Sequence, residues 1–375
     1  MPIRTLHIDI EGGWGGSSRS LFELTSKFRQ NQIYPVIAHR QKGPISKRYR
    51  KIGIQSRHIP EIFSYAPKLR VKNFKNFIAS LPKMLELPKV IDKIINMVRL
   101  HKIQIIHLNY EGLFIMAKLL KQKLNIPIIC HSRTQIPNDI FGRYLVKTLS
   151  KNVDHIFFIS PQEKKRFCQM EIGSKVSKSV MWNISANKKG KRLKKTSEVV
   201  YFGDISPAKG ADRLVDIAKE LESEQEITII AYGTERNKKG FLNHLITQSR
   251  SQGIQNKIIF RKHNSEPEKI MRRSLALVRP SRYNDPWGRD VIEATSNGLP
   301  VLATGNFSGV IKPKINGFLF NTFDAKKIAK KIIELHNNPG LWSRISKAGP
   351  KIGKKFSGKN QVKQFYEISK RLVKK

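Results

Sequence analysis

Two carboxylates stand close together in RPSRYNDPWGRDVIEATSNGLPVLATG, residues 279–305, although the chain has 28 acidic residues against 71 Lys and Arg. Pro286 suits a first helical turn and Ser296-Asn297-Gly298 is a stop signal, so we predict a helix over Trp287–Asn297. Asp285, Arg289 and Glu293 are spaced by four residues, so their side chains would share one face of a helix. Two carboxylates on one face can accept hydrogen bonds from the paired hydroxyls of a sugar and a ribose. The alternative is an exposed ladder of ion pairs, each worth roughly a few tenths of a kcal/mol.

Glycines follow the first apolar segment of the chain, in DIEGGWGGSSRSL. They let a ligand approach the backbone closely, and Ser17 or Ser18 can cap the helix that follows, whose free N–H groups favour an anion. The segment has neither a P-loop lysine nor a GxGxxG fingerprint. We interpret it as a phosphate or sugar site in preference to a plain turn.

A lysine and a glycine stand before a predicted helix in YFGDISPAKGADRL, where Gly203 turns the chain and Lys209 precedes Gly210. A lysine beside a helix N-terminus opposes the helix dipole, so it is a poor choice for stability. It would add positive charge where an anion already docks. Because the chain has so many lysines, an ordinary surface residue remains the alternative.

Two histidines end apolar segments of the first half, His107 in IIHLNY and His131 in IICHSRTQ. A single histidine at such a position is more often packed in the protein core than part of a functional site. Two histidines at equivalent strand ends favour at least one of them facing a ligand cleft.

Short apolar strands alternate with amphipathic helices along the whole chain. The first strand is Thr5–Ile10, a helix covers about Ser18 to Arg29, and later strands include YPVIAH, IPIICHS, EVVYFGD, EITIIAYG and LPVLATG. Near-continuous apolar strands indicate parallel sheets buried on both faces, and the alternation indicates a doubly wound α/β fold. The pattern predicts two Rossmann-like α/β domains that face each other across a cleft, with a ligand beyond the carboxyl ends of the strands.

The basic run NKKGKRLKK interrupts this rhythm and marks the boundary between the halves. We predict an N-terminal domain over residues 1–186, a basic linker over 187–197 and a C-terminal domain over 198–356. Residues 357–375 form a basic helix, and packing back on the N-terminal domain is one arrangement open to it.

The net charge of +43 predicts attraction to polyanions such as anionic lipid, nucleic acid or phosphorylated small molecules. No nucleic-acid recognition motif accompanies the charge, so a specific nucleic-acid partner is not expected. The two cysteines, Cys130 and Cys168, form no CxxC pair, which favours a reducing, cytoplasmic setting. Neither a signal peptide nor a membrane-spanning run is expected from the sequence.

The segment KLRVKNFKNFIASLPK, residues 68–83, has apolar residues at helical spacing and lysines on the other side. Such a helix either packs its apolar face on its own domain or lies on an anionic membrane surface. Both interpretations remain open. The second places the protein in the cytoplasm, peripheral on the inner face of the membrane.

The chain resembles the retaining glycosyltransferases of family 4, also called glycosyl transferases group 1, which have the GT-B fold. The resemblance rests on an ordered series of segments: EGGWGGSSRSLFEL, IPIICHS, VVYFGDISPAKGADRL, LALVRPSRYNDPWGRDVIEATSNGLPVLAT and GFLF. It implies a nucleotide-sugar donor bound mostly by the C-terminal domain and an acceptor bound mostly by the N-terminal domain. It also implies no cofactor and no metal, because basic residues and helix N-termini replace a cation at the departing phosphate.

The resemblance implies roles for individual residues. Glu293 would hold the ribose hydroxyls, Asp285 the sugar hydroxyls and Lys209 the diphosphate, while His131 would lie near the transferred sugar. His107 and Arg133 would be acceptor-side or auxiliary residues. The implied donor-binding set is Gly15, Gly16, Gly203, Lys209, Gly233, Trp287, Gly288, Arg289 and Glu293.

Two departures from the family pattern keep alternatives open. Asp285 stands where the family most often has Glu, and Asp204 stands where it usually has an Arg that touches the diphosphate. Arg133, Arg282 or Arg289 would have to compensate. The alternatives are a catalytically weak or silent relative, a sugar-nucleotide epimerase of the same fold and, least favoured, a nucleic-acid-binding protein. The acceptor stays open, with a lipid-linked one consistent with membrane contact.

Overall fold

The computed structural model describes residues 1–11, 16–64, 85–174, 176–185, 196–221, 226–235, 239–282, 284 and 287–374. The amphipathic segment 68–83 and all but the last two positions of the predicted linker 187–197 lie outside these residues. Contacts between Cα atoms divide the chain into two compact units. Unit 1 comprises Met1–Ile184 together with Gly358–Lys375, and unit 2 comprises Ser185–Ser357.

Unit 1 is built on a parallel sheet whose described strands lie in the order β3-β2-β1-β4-β5-β6-β7. The strands are β1 (Ile3–Asp9), β2 (Ile33–His39), β3 (Gln55–His58), β4 (Ile105–Leu108), β5 (Ile128–Ser132), β6 (His155–Phe158) and β7 (Ser177–Val180). The register sets His7 of β1 beside His107 of β4 and His131 of β5 beside Phe157 of β6.

The described helices of unit 1 connect and cover these strands. They are α1 (Gly16–Thr25), α2 (Pro44–Lys51), α3 (Leu87–Leu100), α4 (Phe114–Lys123), α5 (Ile140–Asn152), α6 (Pro161–Met170) and the C-terminal α13 (Lys359–Val373), with a 3-10 turn at Glu111–Leu113. Strands β1, β4 and β5 are almost entirely buried, because helices cover both faces of a parallel sheet.

Unit 2 repeats the architecture with a parallel sheet in the order β10-β9-β8-β11-β12-β13. Its strands are β8 (Glu198–Phe202), β9 (Thr228–Tyr232), β10 (Ile258–Arg261), β11 (Ala276–Arg279), β12 (Val301–Thr304) and β13 (Gly317–Phe320). Its described helices are α7 (Arg213–Lys219), α8 (Phe241–Ser251), α9 (Pro267–Met271), α10 (Arg289–Ser296), α11 (Ala325–Asn337) and α12 (Pro339–Gly353), with 3-10 turns at Pro207–Lys209 and Lys354–Phe356.

The predicted α/β fold with two doubly wound parallel sheets is confirmed by these orders. In each sheet the winding reverses direction at one place, between β1 and β4 in unit 1 and between β8 and β11 in unit 2. Neighbouring loops there leave the sheet in opposite directions, which opens a crevice beyond the strand ends. The residues after β1, β4, β8 and β11 are therefore the ones that can meet a ligand.

The C-terminal helix α13 belongs to unit 1, although the whole of unit 2 precedes it in the chain. Phe365 is fully buried, and its ring centroid lies 5.7 Å from that of His7 and 5.9 Å from that of Phe157. Gln364 donates to the carbonyl oxygen of Val180 and to the Ser179 hydroxyl. The helix therefore covers one face of the unit 1 sheet with an aromatic anchor and a polar contact at the edge strand.

Several element boundaries differ from those that the sequence predicted. The helix after the glycine segment covers Gly16–Thr25, earlier than the predicted Ser18 to Arg29, and α10 begins at Arg289, two residues after the predicted Trp287. Gly288 has φ −179° and is extended, so the chain before α10 is not helical. No helix in the described ranges is both long and apolar enough to cross a membrane.

Candidate functional site

Two glycines lie near the switch point of the unit 2 sheet: Gly203 directly follows β8, and Gly233 directly follows β9. A Cβ on Gly233 would lie 2.0 Å from the carbonyl oxygen of Gly203, and one on Gly203 would lie 2.9 Å from the Tyr201 hydroxyl oxygen. Tyr201 in turn donates to the backbone oxygen of Asp204 at 2.8 Å. Close packing of the two loops therefore accounts for both glycines, whether or not a ligand approaches them.

Lys209 ends the 3-10 turn Pro207–Lys209 and is half-buried. The next residue, Gly210, has φ +73°, and a Cβ there would lie 2.0 Å from the carbonyl oxygen of Pro280. This places Lys209 in a tight turn ahead of α7, which begins at Arg213. The turn is packed against the backbone of the segment that follows β11.

Two arginines join the Lys209 turn to the loop after β11. Arg282 contacts the carboxylate of Asp212 with both terminal nitrogens, with Nη1–Oδ1 at 2.7 Å, and also donates to the carbonyl oxygen of Pro207. Arg213 donates to the carbonyl oxygens of Pro280 and Ser281 at 3.1 and 3.2 Å. The structure therefore brings the segments of Lys209 and Glu293, more than 80 residues apart in sequence, to one sheet edge.

Helix α10 is fixed at its start by a nearly buried ion pair, in which Arg279 Nη1 lies 2.8 Å from Asp290 Oδ1. A Cβ on Gly288 would lie 2.9 Å from that Arg279 nitrogen and 2.6 Å from Asp290 Oδ1, so the position is tight for any larger residue. No described side chain caps the helix. Backbone N–H groups at such an N-terminus favour an anion.

Glu293 lies one turn into α10 and is 3 % exposed. Its Oε1 accepts from Arg289 Nη2 at 2.7 Å, and the Arg289 side chain is itself 12 % exposed. The alternative of an exposed ladder of ion pairs therefore does not hold for these two residues, because Glu293 is buried and Arg289 is half-buried. Trp287 is also buried, with its ring centroid 6.3 Å from that of Phe307. Asp285 lies outside the described residues.

At the switch point of unit 1, Arg133 gathers polar groups from three strand ends. Its Nη2 and Nε donate to Asn109 Oδ1 at 2.6 and 3.0 Å, and its Nη1 donates to Asn183 Oδ1 at 3.0 Å. Nη2 also lies 3.5 Å from His131 Nδ1. Arg133 is half-buried, and its guanidinium is held in place by the fixed fork of hydrogen bonds.

Asp9 extends this network to the start of α1. Its carboxylate accepts from the Ser18 hydroxyl and from Asn109 Nδ2, the latter at 3.0 Å. Burial raises the pKa of Asp9 to about 6, against the opposing effect of the Ser18 and Asn109 hydrogen bonds. The strand end therefore holds a carboxyl that ionises near pH 6 and is hydrogen bonded to Ser18 in the first turn of α1.

Glu111 is a second buried carboxylate on the same edge. It accepts from the backbone N–H of Arg133 at 2.7 Å and from the Thr134 hydroxyl. Burial raises the pKa of Glu111, and these hydrogen bonds act in the opposite direction. Glu111 thus fixes the loop that leaves β5 after His131.

His131 and His107 stand in one row of imidazoles with His7. His7 Nδ1 and His107 Nδ1 are 2.8 Å apart, and the ring centroids of His107 and His131 are 5.6 Å apart. Burial lowers the pKa of all three, to about 3 for His7 and well below the usual value for the other two. The row is therefore neutral at physiological pH, and His107, which is fully buried against Phe365, is enclosed within unit 1.

The sequence-predicted site residues thus fall into two sets. The segments of Lys209, Trp287, Gly288, Arg289 and Glu293 meet in unit 2, and His131 meets Arg133 in unit 1, while Gly15 and Asp285 are not described. A Cβ on Gly16 would meet no atom within 4 Å, so that position is open. Asp9, Asn109 and Glu111 were not predicted as candidate site residues from the sequence. The signal that could have found them is a polar residue directly after a buried strand, as in LHIDI and IIHLNY.

Metal ligands were not expected from the sequence. Among the residues that the structure describes, no three His, Cys, Asp or Glu side chains are grouped so that they could hold a metal ion.

Each half of the chain matches a glycosyltransferase family. Residues 183–352 match the family described as Glycosyl transferases group 1, and residues 14–177 match Glycosyltransferase Family 4. An uncharacterised glycosyltransferase of Methanocaldococcus jannaschii, MJ1178, is 27 % identical over 277 residues, which is 70 % of this chain and 74 % of that protein.

Solved structures share the fold over nearly the full chain. The structure of Anabaena Alr3699/HepE in complex with UDP-glucose has a TM-score of 0.78 and 17 % identity, covering 99 % of this chain and 100 % of that one. Sucrose-phosphate synthase from Thermosynechococcus elongatus has a TM-score of 0.75 and 16 % identity, covering 99 % of both chains. Both are similar to this chain in fold.

Proposed function

We propose that this chain, a glycosyltransferase with the GT-B fold by the matches of its two halves, transfers a sugar from a nucleoside-diphosphate sugar to an acceptor hydroxyl with retention of configuration. The observation that carries the proposal is the joining of the Lys209 turn to the loop before α10 at the unit 2 switch point. A cation, a helix N-terminus and a buried carboxylate thereby share one sheet edge. These three groups suit a diphosphate attached to a ribose: the cation and the helix N-terminus attract the phosphates, and the carboxylate accepts hydrogen bonds from the ribose hydroxyls.

Each of these groups has a role toward the donor. Lys209 and the N-terminal amides of α10 bind the diphosphate, because both favour negative charge. Glu293, whose Oε1 accepts from Arg289, is the carboxylate that we assign to the ribose hydroxyls. The complex of the similar Anabaena protein with UDP-glucose supports a UDP-sugar as the first donor to test.

The reaction breaks the bond between sugar C1 and the β-phosphate oxygen, and the electron pair leaves with the phosphate. The acceptor oxygen forms its bond to C1 on the same face, and its proton passes to the departing phosphate oxygen. Lys209 and the α10 amides stabilise the charge that grows on the phosphate, in the place where a metal would otherwise serve. His131, kept neutral by its burial, is proposed to hydrogen bond the transferred sugar.

Unit 1 is assigned to the acceptor. The network of Asp9, Asn109 and Arg133 positions the start of α1 and the loop after β5, and the half-buried Arg133 is the member of it that we assign to an incoming hydroxyl. We propose a lipid-linked acceptor in cell-surface polysaccharide or glycolipid synthesis, reached from the cytoplasmic side of an anionic membrane. The net charge of +43 supports this choice.

The test is a thermal-shift and turnover panel of UDP-, GDP- and ADP-sugars with EDTA present. We expect one nucleotide to raise the melting temperature and its sugar to be released or transferred without divalent metal. Proton NMR of the first product then reports whether the anomeric configuration is retained. If no donor shifts the protein, the chain is a silent relative, and Asp204→Arg is the variant that asks whether the carboxylate at that position repels the diphosphate.

A further inference from the structure

Helix α5 carries an exposed face that the proposed reaction does not use. Ile140 is 90 % exposed and Tyr144 is 52 % exposed, which is unusual for large apolar side chains. Arg143, Lys147 and Lys151 are exposed on the same helix. We call these five residues the α5 face.

The spacing of the helix explains why these side chains point away from the core. Leu145, Val146 and Leu149 are fully buried and anchor α5 on unit 1, whereas positions 140, 144, 147 and 151 follow one another every turn on the opposite side. The Asp139 side chain accepts from Gly142 N and caps the helix at its start. The α5 face therefore belongs to a rigid, packed helix.

The apolar end of this face adjoins the polar cluster of unit 1. The Tyr144 ring centroid lies 5.8 Å from that of Phe114, which begins α4 directly after the 3-10 turn that contains Glu111. Glu111 in turn holds Arg133 and Thr134 by hydrogen bonds. The exposed Tyr144 is thus linked by direct packing to the edge where the acceptor is proposed to bind, and Ile140 lies one helical turn before it on α5.

We infer that the α5 face docks on an anionic lipid bilayer, with Ile140 and Tyr144 entering the boundary between headgroups and acyl chains. Charge complementarity selects this occupant: α5 contains no acidic residue, and its exposed polar positions are basic. Lys118, exposed on the neighbouring α4, adds to the positive rim. The inference extends the proposed lipid-linked acceptor, since docking at this edge would bring such an acceptor to Arg133.

The experiment measures sedimentation of the full chain with vesicles of phosphatidylcholine, with and without phosphatidylglycerol, at physiological salt. We expect binding only to the anionic vesicles. Because apolar insertion and charge act together, Ile140→Ser with Tyr144→Ser should lower the vesicle affinity about tenfold or more. Lys147→Glu with Lys151→Glu should lower it by a similar factor.

The matched control is Ile172→Ser, since Ile172 is 88 % exposed on unit 1 but lies beyond the end of α6. Its vesicle affinity should equal that of the unchanged protein. The inference is overturned if the unchanged protein does not bind anionic vesicles, if the control loses as much affinity as the α5 variants, or if the α5 variants abolish a dimer and leave vesicle binding intact.

A donor measurement separates this inference from the proposed function. The variants Ile140→Ser and Tyr144→Ser should keep the full thermal shift with the nucleotide-sugar, because the α5 face includes none of the residues that we assign to the donor. Conversely, Glu293→Gln should bind vesicles normally. If the unchanged protein does not bind the nucleotide-sugar, the proposed function is contradicted, whereas the vesicle experiment still tests the membrane inference.

Discussion

Arg133 shows how one side chain can hold several strand ends together. Its guanidinium donates to Asn109, after β4, and to Asn183, after β7, while its own backbone N–H donates to Glu111. A lysine would keep the positive charge, but it has no planar fork with which to serve both asparagines. The geometry around His131 therefore depends on an arginine at this position.

We predict that Arg133→Lys lowers the free energy of unfolding by about 1–3 kcal/mol, because the buried amide oxygen of Asn109 loses the two donors that the guanidinium supplies. Arg143→Lys is the control. Arg143 is exposed and donates to Asn138 at 3.2 Å, so its change should cost less than about 0.5 kcal/mol. Urea titration of both variants gives the two values, and equal losses would contradict a positioning role for Arg133.

At this scale the sequence indicates some candidate site residues and not others. His131, Lys209, Arg289 and Glu293 stand out by type and spacing. Asp9, Asn109 and Glu111 do not, because their importance comes from their partners: Asp9 and Asn109 are 100 residues apart and meet only when β1 and β4 pair. Sequence alone does not state which strands become neighbours.

Among the elements, the turn at Lys209 depends most strictly on one residue type. Gly210 has φ +73° and also packs against the carbonyl oxygen of Pro280, where a Cβ would be 2.0 Å away. Gly253 has nearly the same conformation, with φ +69°, but no atom lies within 4 Å of a Cβ there. Substitutions at these two glycines therefore distinguish the cost of backbone strain, which both share, from the cost of a steric clash, which only Gly210 has.

We predict that Gly253→Ala costs about 1 kcal/mol, the strain of a left-handed residue. Gly210→Ala should cost at least about 1 kcal/mol more, because the turn must also move away from Pro280. Denaturant titration measures both, and the donor-induced thermal shift should fall only for Gly210→Ala. Equal costs for the two variants would refute the close packing of this turn on the loop after β11.

The boundaries of α10 show why element ends were harder to predict than elements. Pro286 favours a helix start near Trp287, yet the Arg279–Asp290 ion pair and the extended Gly288 delay it to Arg289. The existence of the helix follows from local periodicity, whereas its first residue follows from a contact with β11. Tertiary contacts of this kind are absent from a local pattern.

For the molecule as a whole, alternation of strands and helices was sufficient to predict two parallel sheets. Their strand orders, with a reversal between β1 and β4 and between β8 and β11, follow the doubly wound scheme. The row of buried imidazoles under α13 could not be predicted, since the burial of these rings depends on contact with Phe365, more than 200 residues later in the chain.

These buried histidines predict that stability falls as the pH is lowered. Burial lowers the pKa of His155 to about 4 and that of His7 to about 3, so below pH 6.5 the unfolded chain binds protons that the folded chain does not. Each such histidine lowers the free energy of unfolding by up to about 1.4 kcal/mol for each pH unit below 6.5. Asp9, whose folded pKa is raised to about 6, acts in the opposite direction between pH 6 and 4.

The measurement is the free energy of unfolding at pH 7, 6 and 5. We expect a decrease toward pH 5, because the histidines outnumber Asp9 and Glu111, whose raised pKa values oppose them. In His155→Gln the slope should shrink by about 1 kcal/mol per pH unit, since glutamine can still bond Ser177 and Ser179. A stability that rises from pH 7 to pH 5 would disprove this linkage.

The central claim is a metal-independent nucleotide-sugar site that includes Glu293, and calorimetric titration with a UDP-sugar in EDTA tests it most directly. Glu293→Gln keeps the shape of the side chain and removes its charge, and Glu334→Gln on the exposed side of α11 is the control. We predict binding by the unchanged protein and the control, and at least about tenfold weaker binding by Glu293→Gln, as expected for a lost charged hydrogen bond. Equal affinity in Glu293→Gln, or binding that disappears with EDTA, would contradict the assignment.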